Sequence, residues 1–319
     1  MRILAIQNRM GIGDMVIFLP FLEAISKKYN SPLTILVKEN SKAKEYLGSN
    51  QYIQEILTLD RDNKHGKHDG IIGSFYLANK LRTENFDKVF IFNSSLRFNL
   101  ICKLAGIKKI HQYPLFRKKK QHLIKTAQSF IKKELNQDVD SNPQINLEKT
   151  RVEYVKKKYN INNNQTNILL GIGGSGPTKR IPSEKFLSFM KMASENYNCK
   201  FFLATGKNED EQIILNQITN SEFKEKCVRL DDLKINEILP IIKNCKVSIC
   251  NDSSFSHLSA ALNIPTIVLL SDTPFMYGSY SPNMYPIIPD GEENVTHNTL
   301  GKEKINPQKI VDKVYEIIN

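Results

Sequence analysis

The sequence lacks the features that mark secreted, membrane-spanning or metal-binding proteins. Its five cysteines are odd in number and form no CxxC pair, which disfavours a disulfide framework and a zinc site. No apolar run approaches the roughly 20 residues of a transmembrane helix, and the N-terminus lacks the charged, apolar and small-residue order of a signal peptide. We therefore expect a cytoplasmic protein with reduced cysteines.

Signatures of metal and nucleotide chemistry are also missing. The HExxH, Walker A and GxSxG patterns do not occur. Asp60 and Asp62 form a DxD pair of the kind found in metal-dependent sugar transferases, but Asp138 and Asp140 repeat it, so chance is the simpler explanation. We expect no bound metal.

Acidic residues are absent from one segment, residues 97–133, which holds eleven lysines and arginines. This segment supplies nearly the whole net charge of +12 and runs into an amphipathic pattern at residues 123–131. Such a surface suits phosphates on an anionic lipid or a nucleic acid. A solvated basic face is the simpler alternative, because charge alone names no partner.

The length and the order of apolar patterns predict two domains. A chain of 319 residues exceeds what one core usually supports. Strand-like runs alternate with helical patterns, are interrupted by an Asn-rich connector at residues 160–166, and then alternate again. This order predicts an α/β fold with parallel sheets covered on both faces. We place the domains at residues 1–160 and 161–319, with a terminal helix that could pack back on the first domain.

A glycine-rich turn follows the first predicted strand. Gly11 and Gly13 allow backbone conformations that other residues resist, and Asp14 begins a long apolar-periodic segment. An acid at the carboxyl end of the first strand of an open α/β sheet lies where such folds bind ligands. Asp14 is therefore a candidate functional carboxylate or, alternatively, only a helix cap.

A second glycine-rich loop, GIGGSGPTKRIPSEKF at residues 171–186, joins a predicted strand to a helix that Ser183 could cap. It contains GxGxxG, but Pro177 interrupts where the helix of a nicotinamide site would run. The loop is either an ordinary surface loop or a phosphate cradle, in which hydroxyls donate hydrogen bonds and cations neutralise a diphosphate. The cradle residues would be Ser175, Thr178, Lys179 and Arg180.

A third stretch, residues 247–271, predicts a strand, a helix and a second strand. The first apolar run breaks at Asn251, and either Asp252 or Ser253 can cap the helix. Ser253, Ser254 and His257 fall on or near its first turn, where free N–H groups attract anions. The stretch favours a phosphate-bearing ligand, although most capped turns of this kind bind nothing.

Together, and in this order, the three motifs resemble those of the ADP-heptose:lipopolysaccharide heptosyltransferases, glycosyltransferase family 9. GIGDMVIFLPFLEAI resembles the family's Gly-Asp turn and first helix, GGSGPTKRIPSEKF its phosphate loop, and NDSSFSHLSAALNIPTIVLL its Asp-Ser-Gly-x-x-His helix. The resemblance implies a GT-B fold, with two Rossmann-like domains facing a cleft, and an inverting, metal-independent sugar transfer. Ser254 in place of Gly and Ile181 in place of Trp depart from the family pattern.

The resemblance also implies roles for the candidate residues. Asp14, beside Gly13, would be the general base toward the acceptor hydroxyl, and a sugar nucleotide such as ADP-heptose would be the co-substrate, with no further cofactor. The acceptor would be a phosphorylated glycolipid at the inner face of the bacterial inner membrane. Donor contacts would be Ser175, Thr178, Lys179, Arg180, Asp252, Ser253, Ser254 and His257, with Glu209 as a weaker ribose contact. The basic segment, rather than a family motif, would supply the contacts to acceptor or anionic lipid, namely Arg117, Lys118, Lys119 and Lys120.

Two other functions stay open. A non-catalytic module could bind nucleic acid through the basic segment, but RNA-binding motifs and interleaved aromatic residues are lacking, so we expect no such partner. A GT-B-like epimerase would turn over a sugar nucleotide without an acceptor.

Overall fold

The structure is a computed structural model that describes residues 1–61, 65–115, 122–162 and 164–319. It divides into two units, Met1–Pro143 and Gln144–Asn319. Each unit is built on a parallel sheet, as the alternating sequence pattern predicts.

The described residues of the first unit form five strands and five α-helices. The strands are β1 (Ile3–Gln7), β2 (Leu33–Lys38), β3 (Ile53–Leu59), β4 (Lys88–Ile91) and β5 (Lys109–Gln112), and the helices are α1 (Ile12–Tyr29), α2 (Ala43–Tyr46), α3 (Gly70–Thr83), α4 (Leu96–Leu104) and α5 (Leu123–Leu135). The strand order is β3-β2-β1-β4-β5, with parallel pairing throughout. Both faces of the central strands are apolar, because both are covered.

Successive strand residues of the first unit point to opposite faces of the sheet, and each face packs against a layer of helices. On one face, Val89 and Ile91 share a cluster with Leu77 of α3 and Phe98 of α4. On the other face, Phe90 meets Phe130 of α5 edge to face, with ring centroids 6.3 Å apart. Helices α3 and α4 therefore form one layer, and α1 and α5 form the other.

The apolar side of α5 is directed inward. Its buried residues include Leu123, Ile124, Ala127, Phe130 and Ile131, and the helix packs against α1. The sequence associated this amphipathic pattern with a phosphate-rich surface, which is wrong for its apolar residues, because they belong to the core of the first unit.

The described residues of the second unit form six strands and six α-helices. The strands are β6 (Thr166–Gly171), β7 (Cys199–Ala204), β8 (Cys227–Arg229), β9 (Val247–Asn251), β10 (Thr266–Leu269) and β11 (Met284–Ile287), and the helices are α6 (Lys149–Lys158), α7 (Ser183–Asn196), α8 (Glu209–Thr219), α9 (Ile235–Lys243), α10 (Ser254–Ala261) and α11 (Pro307–Ile318). The strand order is β11-β10-β9-β6-β7-β8, again parallel.

Three details of the second unit differ from the sequence predictions. Helix α6 packs against α9, so the unit begins at Gln144 and the Asn-rich connector lies inside it rather than at the junction predicted at residue 160. Helix α11 packs against α7 and buries Ile310 in the second core, so it belongs to the second unit. Strand β11 has no counterpart among the sequence predictions, because Pro286 interrupts its apolar pattern; as an edge strand it tolerates the missing N–H.

No helix among the described residues combines the length and the apolar composition that crossing a membrane requires.

Candidate functional site

The two polar motifs of the second unit meet at the point where its strand order reverses. Strand β6 lies between β7, which follows it in the chain, and β9, which begins much later. The loop after β6 and the turn after β9 therefore leave neighbouring carboxyl ends of the sheet. In open α/β sheets this reversal creates the crevice that holds ligands.

Asn251 joins the loop to the turn. Its side-chain amide donates to the backbone oxygens of Ile172, at 2.8 Å, and Gly173, at 3.2 Å. Asn251 is fully buried, so these bonds satisfy the N–H groups of an amide that water cannot reach. The contact fixes the start of the glycine-rich loop against the start of α10.

A buried charge cluster lies at this junction. The Nζ atom of Lys179 is 2.7 Å from Oδ2 of Asp252, and the other carboxylate oxygen is 3.8 Å from Nε2 of His257. On its far side, Nδ1 of His257 is 2.9 Å from the hydroxyl of Tyr280, and the two rings stack. Three residues that the sequence assigned to one ligand are thus brought together, although they come from two motifs.

Burial and neighbouring charge set the protonation of this cluster. Burial opposes ionisation of Asp252, but the charges of Lys179 and His257 and the hydrogen bond from Lys179 outweigh it, so the pKa of Asp252 is lowered. Burial lowers the pKa of His257 to about 4, because it outweighs the attraction of Asp252. Burial also raises the pKa of Tyr280 well above its ordinary value. At neutral pH the imidazole is therefore uncharged and acts through hydrogen bonds.

Glu211 holds the glycine-rich loop from the other side. Its Oε1 accepts from the backbone N–H of Gly174 at 2.9 Å, and its Oε2 accepts from the side chain of Asn208. Gly173 and Gly206 lie so close that a Cβ on either would overlap this carboxylate. The glycines are needed here for close approach.

Arg180 is also part of the loop's framework. It donates to the backbone oxygen of Gly174 at 3.0 Å and pairs with Asp210 at 2.6 Å. Since Lys179 is paired with Asp252, both cations of the predicted cradle already face carboxylates. The cradle is therefore not a bare positive pocket, and a diphosphate would compete with Asp252 and Asp210 for these cations.

Thr178 connects the loop to the chain after β10. Its backbone oxygen accepts from the hydroxyl of Ser271 at 2.8 Å. Burial opposes ionisation of Asp272, but the backbone N–H of Leu300 and the hydroxyl of Thr178 donate to that carboxylate and lower its pKa. The loop is thus held at Asn251, Glu211 and Asp272.

The remaining donor candidates differ in their placement. Ser253 precedes the first residue of α10, Ser254, and the buried Ser253 hydroxyl oxygen has no hydrogen-bond partner in the described parts of the chain. Ser175 is exposed on the loop. Glu209 is exposed in the first turn of α8, and no hydrogen bond in the described ranges joins it to Lys179 or Asp252. An unpaired buried hydroxyl beside the cluster is what a ligand contact would satisfy.

Asp14 lies in the first turn of α1, at the carboxyl edge of the first sheet. Gly11 precedes the helix with φ of 94°, a conformation that favours glycine, whereas Gly13 lies inside α1 and has no positive φ. The turn is therefore possible because of Gly11, not Gly13. The Asp14 side chain is 18% exposed, and its Oδ1 accepts from Nε of Arg9 at 3.3 Å. Arg9 thus orients a carboxylate that is partly exposed.

Two other predictions concern the basic segment and metals. The predicted acceptor and lipid contacts Arg117, Lys118, Lys119 and Lys120 lie outside the described residues. Among the residues that are described, no group of three or more His, Cys, Asp or Glu side chains could hold a metal ion.

Sequence reasoning missed three residues of the second-unit site. Glu211 had a local signal, because Asn208 and Glu211 have the spacing of a helix cap and its third helical residue, and Asn208 indeed accepts from the Glu211 N–H. Asp272 comes soon after a predicted strand end, a position that could have marked it. Tyr280 had no local signal, since it reaches His257 only through packing.

Comparison with known proteins gives matches along most of the chain. A model of glycosyltransferase family 9 (heptosyltransferase) matches residues 75–307. Lipooligosaccharide heptosyltransferase 2 of Haemophilus influenzae is 32% identical over 117 residues, which are 36% of this chain and 32% of that protein. The alignments with such curated relatives span less than half of each relative's length.

Two solved structures are similar over nearly the whole chain. The E. coli ADP-heptose lps heptosyltransferase II has a TM-score of 0.73 and 18% identity, with 99% of this chain and 98% of that chain covered. The E. coli heptosyltransferase WaaC with ADP-2-deoxy-2-fluoro heptose has a TM-score of 0.69 and 14% identity, with 99% of both chains covered. These likenesses show the fold and bear out the predicted GT-B class.

Proposed function

Because the chain belongs to glycosyltransferase family 9, we propose that it transfers a sugar from a nucleotide diphosphate to a lipopolysaccharide-core or similar glycan. We take the sugar to be a heptose, the donor to be of the ADP-heptose type, and the transfer to be inverting and metal-independent. The single observation that carries the proposal is the buried cluster of Lys179, Asp252 and His257 at the reversal of the second sheet.

The donor half of the proposal rests on the second unit. A departing diphosphate needs positive charge and hydrogen-bond donors held in place before the reaction. Lys179, the Ser253 hydroxyl and the N-terminus of α10 supply both at one sheet edge. A relative of the same fold, E. coli WaaC, has been solved with an ADP-heptose analogue, which agrees with this class of donor.

The acceptor half rests on Asp14. Attack on the anomeric carbon requires a base that removes the proton of the acceptor hydroxyl as the new bond forms, while the diphosphate leaves from the opposite face. Asp14 is an accessible carboxylate at the ligand-binding edge of the first sheet, and Arg9 directs one of its oxygens. We propose a phosphorylated glycolipid as acceptor and the inner face of the inner membrane as the place of work.

Replacing Asp14 by Asn tests this assignment. We expect the rate of transfer to fall by at least about 100-fold, the usual contribution of a positioned general base. Calorimetry should give an unchanged affinity for ADP, since the donor contacts lie on the other unit. Glu39→Gln, another acid of the first unit, is the matched control and should retain full activity.

Other outcomes would replace the proposal. An active Asp14→Asn variant would remove Asp14 as the base. Turnover of ADP-heptose without an acceptor, giving an isomerised sugar nucleotide, would favour an epimerase. Tight polynucleotide binding with a steep salt dependence, and no binding of ADP or ADP-heptose, would favour a polyanion-binding module.

A further inference from the structure

An unusual set of large apolar side chains lies on the surface of the first unit. Helix α3 exposes Ile71, Ile72, Phe75 and Tyr76, and Ile72 is 85% and Phe75 54% exposed. On a helical projection these positions form one continuous face, while Gly73, Leu77, Ala78 and Leu81 occupy the opposite, buried face. The helix is therefore apolar on the side that faces solvent as well as on the side that faces the core.

Helix α4 extends this surface. Leu96, Leu100 and Leu104 recur every four residues and are exposed, whereas Phe98, Ile101 and Cys102 are buried. Arg97 of α4 donates to the backbone oxygen of Gly70, where α3 begins, at 3.1 Å, and Arg82 of α3 donates to that of Leu104 at 2.6 Å. Because both ends are joined, the two helices lie side by side and their exposed residues share one outer surface, which we call the α3–α4 patch.

Positive charges predominate around the patch, although Asp69 and Glu84 flank α3 at its two ends. Within the two helices the charged residues are Lys80, Arg82, Arg97 and Lys103, and neither helix contains Asp or Glu. A cavity of about 750 Å³ at their C-terminal ends is lined by four cations and one acid, namely Arg82, Lys88, Lys108, Lys109 and Asp87. Exposed apolar side chains bordered mainly by cations suit an anionic lipid surface, which accepts both.

We propose that the α3–α4 patch is the surface by which the protein docks on an anionic phospholipid bilayer. The isoleucines, leucines and Phe75 would enter the acyl boundary, Tyr76 would lie at the headgroup level, and the lysines and arginines would contact lipid phosphates. This assignment moves the membrane contact from the amphipathic α5, whose apolar side is buried, to α3 and α4.

A second copy of the chain is a less suitable occupant. Two copies that met through this surface would bring the cations of both α3–α4 pairs together with no acidic residue of these helices between them. Like charges brought together in this way oppose association. A patch of this extent on a soluble protein usually marks an interaction surface.

Docking through this patch would bring the protein to a lipid-anchored acceptor. The biological role of the patch therefore rests on the proposed function. Helices α1, α3 and α4 all begin at the carboxyl edge of the first sheet, where Asp14 lies. A lipid-anchored acceptor held at the bilayer would therefore present its glycan near the end of the patch that adjoins this edge.

The test uses the full chain and vesicle flotation. Wild-type protein should float with vesicles of phosphatidylethanolamine and phosphatidylglycerol, and less with phosphatidylcholine alone. The combined variant Ile72→Glu and Phe75→Glu should bind the anionic vesicles about tenfold more weakly or worse. It replaces apolar side chains that would enter the bilayer with negative charges, which the anionic lipid repels. Ile213→Glu, at a 51% exposed position of α8, is the matched control and should float like wild type.

Each remaining result has a defined meaning. Thermal unfolding should be nearly unchanged in all variants, because the sites are exposed. Undiminished flotation of the patch variant, equal loss in the Ile213→Glu control, or equal binding to phosphatidylcholine would overturn the assignment. So would a wild-type dimer that the patch substitutions dissociate.

Activity separates this inference from the proposed function. Transfer to a deacylated, lipid-free acceptor should survive in the patch variant, whereas transfer to the vesicle-bound acceptor should fall. If wild type itself transfers to neither acceptor, the proposed function fails, and flotation still decides whether the patch docks.

Discussion

Replacing Lys179 by Met should destabilise the second unit and weaken donor binding together. Methionine keeps the apolar length of the side chain and removes the charge that lies 2.7 Å from Oδ2 of Asp252. The two side chains are 22% and 7% exposed, so water cannot compensate the Asp252 carboxylate. With Lys179 gone, only the charge of His257 and the hydrogen bond from Thr273 still oppose burial, so the pKa of Asp252 should rise.

The size of the effect follows from the buried charge. Breaking a buried ion pair by removing one partner costs about 3–5 kcal/mol. Because Lys179 retains some exposure, we expect about 3 kcal/mol. For a unit of this size, that is a fall in Tm of roughly 6–12 °C. Adding Asp252→Asn removes the stranded charge, so the double variant should recover more than half of this loss.

The effect should depend on pH with a defined sign. In wild type the lowered pKa of Asp252 contributes stability above the ordinary pKa, and that contribution is lost as the pH falls through the folded value. In Lys179→Met the pKa of Asp252 is higher than in wild type, so the folded carboxyl takes up a proton at a higher pH and the stranded charge is removed there. The difference in Tm between variant and wild type should therefore shrink as the solution is acidified.

Differential scanning calorimetry, with and without ADP, measures these quantities. Lys207→Met is the matched control, since Lys207 pairs with Asp232 at 2.9 Å on the surface, where the side chains are 68% and 84% exposed. Its loss should be below about 1 kcal/mol. The reasoning is refuted if Lys179→Met lowers Tm no more than this control, or if the double variant is less stable than Lys179→Met.

Two further predictions concern the same site. Since burial lowers the pKa of His257 to about 4, wild-type stability should rise as the pH rises from about 4 to 6.5. His257→Gln should flatten this rise by up to about 3 kcal/mol. Parallel curves of Tm against pH for the variant and wild type would contradict this prediction. Gly173→Ala should weaken ADP binding about tenfold in calorimetry, because the new Cβ would overlap Glu211 and move the loop. Gly176→Ala, with no atom within 4 Å of the new Cβ, should bind ADP like wild type, and equal affinities in the two variants would be evidence against the close approach.

Local signals were sufficient for much of the architecture. Alternating strand and helix patterns indicated two parallel-sheet units, and glycine, proline and capping residues located the turns after β1, β6 and β9. These features depend on residues close together in the chain, where backbone preference and apolar period decide the conformation. The position of Asp14 in the first turn of α1 follows from the same signals.

Features that depend on packing were predicted less well. The apolar pattern of α5 in the sequence is typical of a core face and equally of a membrane face. Only the contact of α5 with α1 in the structure distinguishes the two. The exposed apolar residues of α3 were not predicted to be exposed. A helix that is apolar on both sides gives no signal of which side the sheet covers. The unit boundary was misplaced since α6 joins the second unit through α9, far along the chain.

By itself the sequence determined the α/β class, the three polar turns and the identity of Asp14, Lys179, Asp252 and His257 as candidates. Only the tertiary structure decided their environment. It paired Lys179 with Asp252, buried His257 beside Tyr280 so that the imidazole is neutral, and placed Glu211 under the glycine-rich loop. Strand order brings residues distant in the chain to one sheet edge, and burial then sets their charge, so neither property can be assigned to a residue before its neighbours are known.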